Sequence, residues 1–150
     1  MVFLYRHYLE LALKEQLWKM YDACRFYQEA KNHRKLGELL QTHSLTTLSR
    51  KFEGALHELW RKTLDESTRQ KFLKDTQSDV RHLFKVCSDL DDLDKKSLGC
   101  RYPINNKRQF YYTGKEKVNI VLFVEALQQV YTFLCGANAE LDNAIEWIRE

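Results

Sequence analysis

The sequence predicts an all-α protein: a single-domain helical bundle of about five helices. The chain has 150 residues, enough for one domain with its own core. It contains only one proline and five glycines, whereas strand-and-turn folds need turn residues about every dozen positions. With 44% hydrophobic and 30% charged residues, the composition is typical of a globular protein. We therefore expect one helical domain over residues 1–150, with no sheet larger than a hairpin near residues 110–112.

The first helix is expected over residues 2–30, where no glycine or proline interrupts the chain. Apolar side chains recur there at helical spacing and form a broad stripe. The stripe includes Leu4, Tyr8, Leu11, Leu17, Tyr21 and Cys24.

The middle of the chain predicts two or three further helices. Ser44 is the expected N-cap of the second, because a hydroxyl at that position accepts a hydrogen bond from the first turn. Residues 64–75 either extend this helix or follow it separately, and another helix covers residues 77–94. The apolar positions at helical spacing in these segments are Leu45, Leu48, Phe52, Leu56, Leu59, Trp60, Val80, Leu83, Phe84 and Cys87.

The longest apolar stretch, residues 118–134, predicts a central core helix. It contains Asn119, Glu125 and two glutamines, and a membrane span tolerates few such groups. We therefore expect no membrane partner. The helix is expected to begin near Lys117 and to break or turn at Gly136, before a terminal helix over residues 138–150. The predicted core comprises Leu11, Leu48, Phe52, Leu56, Phe84, Val121, Val124 and Leu127.

The net charge and the spacing of the cysteines limit which partners, metals and cofactors we expect. The net charge of +3 permits an anionic partner without requiring one. The four cysteines are far apart and form no C-x-x-C pair, so we expect neither a metal site nor a cofactor. No cationic segment followed by an apolar run opens the chain. Four buried thiols in a reducing cytoplasm are the simplest interpretation.

The only proline, Pro103, lies in a predicted loop from about residue 97 to 115. Between Arg101 and Lys117 there are five cations and one anion, interleaved with four aromatic residues. Cations with exposed aromatic rings are typical of a site for single-stranded nucleic acid, RNA included. The alternative, which we favour, is that the rings pack on the bundle and the cations are merely solvated.

Two roles for Arg101 follow from this loop. Glu125 is the only charge within residues 118–134, and a buried carboxylate needs a partner, with Arg101 and Arg6 as the leading candidates. In this favoured interpretation Pro103 stiffens the loop so that Arg101 reaches back to a fixed acceptor in the bundle, and we call this arrangement the structural clasp. Arg6, Glu10 and Lys14 are spaced as one salt-bridged row. The clasp candidates are Arg101, Glu125, Arg6, Glu10 and Asp94.

The second interpretation makes Arg101 a phosphate ligand at a cleft. His43 would lie nearby at a helix N-terminus, where anions bind well. The candidates for such a ligand or phosphate site are Arg101, Tyr102, His43, Lys107 and Arg108.

Three stretches resemble a branch of the HEPN-like helical family. They comprise Arg6, Leu9, Glu10, Leu11, Leu13 and Lys14; then His43, Ser44, Leu45 and Leu48; then Asp94, Ser97, Arg101, Tyr102 and Pro103. Cys100 departs from the aromatic residue that relatives carry before the arginine. The resemblance implies a homodimeric, non-catalytic binding module that recognises RNA, a nucleotide or a protein partner in phage defence or toxin–antitoxin biology.

A metal-independent ribonuclease is the alternative function. Nucleases of the HEPN-like family carry an arginine, a polar residue and, after four to six positions, a histidine, and Arg50, Lys51 and His57 resemble this arrangement. The histidine would act as general acid or base, and the arginine would stabilise the phosphorane. Ten arginines and five histidines produce about one such match by chance, so we favour the non-catalytic function.

Overall fold

The computed structural model describes residues 2–23, 30–93 and 119–149. They form five α-helices: α1 (Val2–Ala23), α2 (Ala30–Gln41), α3 (Leu45–Thr63), α4 (Glu66–Leu93) and α5 (Ile120–Arg149). The predicted all-α bundle of about five helices is confirmed, and these residues contain no strand. The hairpin proposed near residues 110–112 and the proline loop lie outside the described residues.

Several helix boundaries differ from the predicted ones. The first helix is described as far as Ala23, and the predicted continuation over residues 24–29 lies outside the described residues. Helix α2 was not predicted. The two segments expected between residues 64 and 94 form the single 28-residue helix α4. Helix α5 continues through Gly136 for 30 residues. A glycine inside a helix costs only about 1 kcal/mol relative to alanine, and Leu134 and Leu141 hold α5 in the core on both sides of it.

Helix α3 lies at the centre of the bundle, against α1 on one side and α4 on the other, while α5 covers α1 and α4. The predicted N-cap is confirmed: the Ser44 hydroxyl accepts a hydrogen bond from the Thr47 N–H at 3.1 Å. Asp65 accepts one from the Thr68 N–H at 3.1 Å and so caps the start of α4. Only residues 64 and 65 connect the end of α3 to the start of α4, and this short connection makes the two helices an antiparallel pair.

The core is built mainly from one face each of α1, α3, α4 and α5. Its buried apolar side chains include Leu9, Leu13, Leu17, Leu45, Leu48, Phe52, Leu56, Leu59, Leu83, Leu90, Leu127, Val130 and Leu134. Of the predicted core, Leu48, Phe52, Leu56 and Leu127 are buried and Phe84 is half-buried. Leu11, Val121 and Val124 are exposed, so their assignment to the core was wrong.

Helix α5 is not the fully surrounded core helix that the sequence predicted. By length and composition its stretch Ile120–Glu146 could cross a membrane, yet only 22% of its most apolar window, which has a mean hydropathy of 1.5, is buried. The buried side is formed by Leu127, Val130, Leu134 and Leu141. Val121 and Val124 lie on other sides of the helix, because successive positions are about 100° apart.

Candidate functional site

A buried ion network joins α1 to the start of α3 and the end of α4. The Arg6 side chain is only 1% exposed. Its Nη1 lies 3.2 Å from Glu10 Oε2, and its Nη2 lies 3.1 Å from Asp91 Oδ1 and also donates to the His43 carbonyl. One arginine therefore holds three separate parts of the chain together.

The Asp91 carboxylate occupies the N-terminus of α3. It accepts hydrogen bonds from the Leu45 N–H at 3.0 Å, the Thr46 N–H at 2.9 Å and the Ser44 hydroxyl at 3.0 Å. Free N–H groups and the helix dipole make a helix N-terminus attractive to anions. Here the chain supplies that anion itself, so a phosphate would have to displace Asp91.

Glu10 is the second carboxylate of the network, and its side chain is 3% exposed. Lys14 Nζ donates to it at 2.8 Å, and His43 Nδ1 lies 2.9 Å from it. Burial alone would raise the pKa of Glu10, but the hydrogen bonds and charges of Lys14 and His43 outweigh burial and lower the pKa. The predicted row Arg6–Glu10–Lys14 is confirmed as two ion pairs at i, i+4 spacing.

The predicted burial of Glu125 and its pairing with Arg6 were wrong, whereas its pairing with Arg101 stays a prediction. Glu125 is exposed and forms no ion pair with any residue that the structure describes, because it lies on the side of α5 opposite the buried leucines. The carboxylates that pair with Arg6 are the buried Glu10 and the half-buried Asp91. Arg101 and Asp94 lie outside the described residues, as do Tyr102, Lys107 and Arg108.

Sequence reasoning missed Asp91. It lies in the acidic run at the end of α4, 46 positions after the Leu45 N–H that it caps. The side-chain pattern of α4 marks it as a polar position beside the buried Leu90. Nothing in that local pattern indicates that its partners are on another helix.

The arginine and the histidine of the nuclease-like pattern, Arg50 and His57, each pack on an aromatic ring. The Arg50 guanidinium lies 5.0 Å from the centre of the Phe84 ring on α4. The His57 ring stacks on Trp60 with 6.0 Å between ring centres. The two residues are seven positions apart on α3, about 10.5 Å along its axis, and no contact joins their side chains.

Cysteine placement also differs in part from expectation. Cys87 is buried, and burial raises the pKa of its thiol to about 12. Cys135, in contrast, is exposed on α5, so the expectation of four buried thiols was wrong for this residue. The other two cysteines lie outside the described residues. Within the described ranges no cluster of three or more histidine, cysteine, aspartate or glutamate residues could hold a metal ion.

The most unusual surface of the described bundle is apolar and runs along α1 and α5. On α1, exposed large side chains recur at positions i, i+4, i+7 and i+14, and α5 continues the patch through Tyr131, whose ring lies 6.0 Å from that of Tyr8. We call this surface the outer face. It consists of Leu4, Tyr8, Leu11 and Trp18 on α1 and Ile120, Val121, Val124, Tyr131 and Cys135 on α5.

No family model, curated protein or solved structure matches the chain. The resemblance to the HEPN-like family therefore stays a prediction. What the chain does has to be argued from its own surfaces.

Proposed function

We propose that the protein is a non-catalytic interaction module that works as a homodimer joined through the outer face. The observation that carries the proposal is the row of large apolar side chains that α1 and α5 leave exposed. Leu4 is 68% exposed, Leu11 52% and Val121 66%. Contiguous apolar surface of this kind on a small protein typically marks an interface.

The spacing on α1 favours a helical partner. Leu4, Tyr8, Leu11, Glu15 and Trp18 follow the alternating four-and-three spacing of a coiled-coil seam. Glu15 is the one charged position in that row, and its carboxylate lies 3.7 Å from Lys19 Nζ. Polar residues inside such seams fix register and the number of strands. A second copy brings an identical seam, so the outer face can pair with itself about a two-fold axis.

A membrane is a poorer occupant for this surface. The apolar stretch of α5 also carries Glu125, Glu140, Asp142 and Glu146. Charged side chains in a bilayer centre are unfavourable by a few kcal/mol each. Lys19 on α1 contacts Asp142 Oδ1 at 3.4 Å, which couples this end of α5 to the bundle.

Recognition of RNA or a nucleotide is assigned in this proposal to residues 101–117, with Arg101, Tyr102, Lys107 and Arg108 as contacts. The anion-attracting N-terminus of α3 already holds Asp91, which favours a site elsewhere in the chain. A dimer would present two such segments to one strand and so raise the effective concentration of the second contact. The phage-defence or toxin–antitoxin setting of the proposal comes from the family resemblance alone.

Light scattering during size-exclusion chromatography tests the homodimer. Wild type should elute with twice the mass of one chain, and Leu11→Lys should elute as a folded monomer, because a lysine in the seam meets its own copy. Gln77→Lys is the matched control: it adds the same charge on an exposed position of α4 and should stay dimeric. A wild-type monomer at high concentration contradicts the proposal, and so does monomeric protein that floats with liposomes.

Binding of a labelled single-stranded RNA tests the proposed RNA recognition by residues 101–117. Fluorescence anisotropy should show weaker binding and a shallower salt dependence for Lys107→Glu/Arg108→Glu, because two phosphate contacts are lost. Lys71→Glu/Lys74→Glu, which alters two exposed lysines of α4, should have a smaller effect. The RNA should stay intact. Cleavage that His57→Ala abolishes would contradict the non-catalytic function and favour the ribonuclease.

A further inference from the structure

A second surface lies on the other side of α5 and has different chemistry. A cleft of about 640 Å³ runs between α5 and the α3–α4 pair, within the range of roughly 300–1,000 Å³ typical of ligand sites. Its floor is aromatic: Trp60 and Phe72 lie 5.7 Å apart between ring centres, and Phe133 joins them from α5. Trp60 itself is buried in the core, whereas Phe72 and Phe133 are half-buried, so the latter two rings provide the apolar area that the cleft leaves open.

The rim of the cleft is acidic. Asp79 of α4 and Glu125 and Glu140 of α5 line it, and the described residues that line the cleft include no lysine, arginine or histidine. None of the three carboxylates forms an ion pair within the described parts of the chain. The cleft therefore presents three uncompensated carboxylates around an aromatic floor.

The cleft extends along α5. Its α5 wall is formed by residues at positions i, i+4, i+7, i+11 and i+15, from Glu125 to Glu140. At 1.5 Å per residue these two carboxylates are about 22 Å apart along the helix. Between them Gly136 has no side chain, and a Cβ built there meets no atom within 4 Å. That length matches about four turns of a helix, which would rest on the cleft with one side only.

We infer that this cleft binds a basic amphipathic helix from a protein partner. The apolar side of such a helix would lie on Phe72 and Phe133, above the buried Trp60, and its lysines or arginines would pair with the carboxylates of the rim. Charge complementarity selects this occupant. A phosphate backbone would face three carboxylates here, and a compact organic cation would reach only one end of the groove.

The cleft and the outer face can be occupied at the same time. Val124, Tyr131 and Cys135 lie on the side of α5 towards α1, whereas Glu125, Thr132 and Glu140 line the cleft beside α3 and α4. This inference therefore goes beyond the homodimer and does not depend on it. A dimer would carry two copies of the cleft.

The test uses a synthetic 17-residue helix of leucine and lysine as the probe, titrated by calorimetry into the full-length protein. The same peptide with glutamate in place of lysine is the charge control. The lysine peptide should bind and the glutamate peptide should not. Glu125→Gln/Glu140→Gln should weaken binding roughly five-fold, because two ion pairs are lost. Asp89→Asn/Asp92→Asn, which removes two exposed carboxylates from the far end of α4, should leave it unchanged.

A second variant tests shape rather than charge. Gly136→Leu places a side chain in the open middle of the groove and favours the helix there. The variant should bind the lysine peptide at least about tenfold more weakly than wild type does. Its melting temperature should equal or exceed that of wild type. Equal binding by wild type and all variants overturns the proposal. So does tighter binding of spermine, which would indicate a small cation, or of a peptide of residues 101–117, which would indicate an occupant from this chain.

Discussion

The inner face of α1 packs against α3 and α5, whereas its outer face, with side chains of the same kind, lies open. The inner face buries Leu9, Leu13 and Leu17 together with the ion network of Arg6 and Glu10. The outer face carries no buried charge and is the more apolar of the two. The comparison shows that the face bearing the charges is the one that the bundle needs, because those charges reach partners on α3 and α4. The outer face, in which Glu15 is the one charged position of the α1 row, is the surface that we propose for a partner outside the chain.

The largest expected effect concerns the inner face. Arg6→Ala should lower the free energy of unfolding by about 3–5 kcal/mol, because it leaves Glu10 and Asp91 without their buried partner. Arg61→Ala is the control: Arg61 pairs with Glu58 on the surface, and such pairs contribute about 0–1 kcal/mol. Urea unfolding at one fixed protein concentration measures both. Equal losses would show that the Arg6 network does not hold the helices together.

Two leucines on opposite faces of α1 give the next largest contrast. Leu13→Ala should cost about 2–5 kcal/mol, because Leu13 is fully buried in the core. Leu11→Ala, two positions away and 52% exposed, should change unfolding of the monomer by less than about 0.5 kcal/mol and weaken the dimer instead. Denaturation measured at protein concentrations low enough to dissociate the dimer separates the effect on the monomer from the effect on the dimer. A large loss for Leu11→Ala in the monomer would place that side chain in the core after all.

The smallest effect is in the pH dependence. The pKa of Glu10 is lower in the folded protein than its ordinary value. The stability that this carboxylate contributes is therefore full above the unfolded-state pKa and is lost as the pH falls through the folded-state pKa. Glu10→Gln should be less stable than wild type at neutral pH and should lose less stability below pH 4.5, the ordinary value for the group. Melting curves between acid and neutral pH measure this, and parallel curves would contradict it.

How far the sequence predicts the fold depends on how one-sided each helix is. On α3 the apolar residues fall on one side only, and all six that were assigned from spacing are buried. On α1 apolar residues surround the helix, so spacing alone could not identify the inner face. The stripe chosen from the sequence combined the buried Leu17 with the exposed Leu4, Tyr8 and Leu11.

The candidate site was predicted only where its contacts are local. The ion pairs of Glu10 with Arg6 and Lys14 follow from i, i+4 spacing on one helix. The roles of Asp91 and His43 depend on contacts across 46 and 33 positions, which no local pattern encodes. The burial of Glu125 was wrongly predicted, because a long apolar stretch does not by itself mean that a helix is surrounded on all sides.

Alkylation of Cys135 tests most directly whether the outer face is an interface. This exposed thiol lies beside Tyr8 and Leu11, while the buried Cys87, whose pKa is raised to about 12 by burial, is an internal reference that should stay unreactive. The account predicts that the rate at Cys135, followed by peptide mass spectrometry, falls as the protein concentration rises through dimer formation. In Leu11→Lys the rate should stay high throughout. A wild-type rate that is independent of concentration, in protein that light scattering shows to be dimeric, would contradict the account, because the two copies would then meet elsewhere.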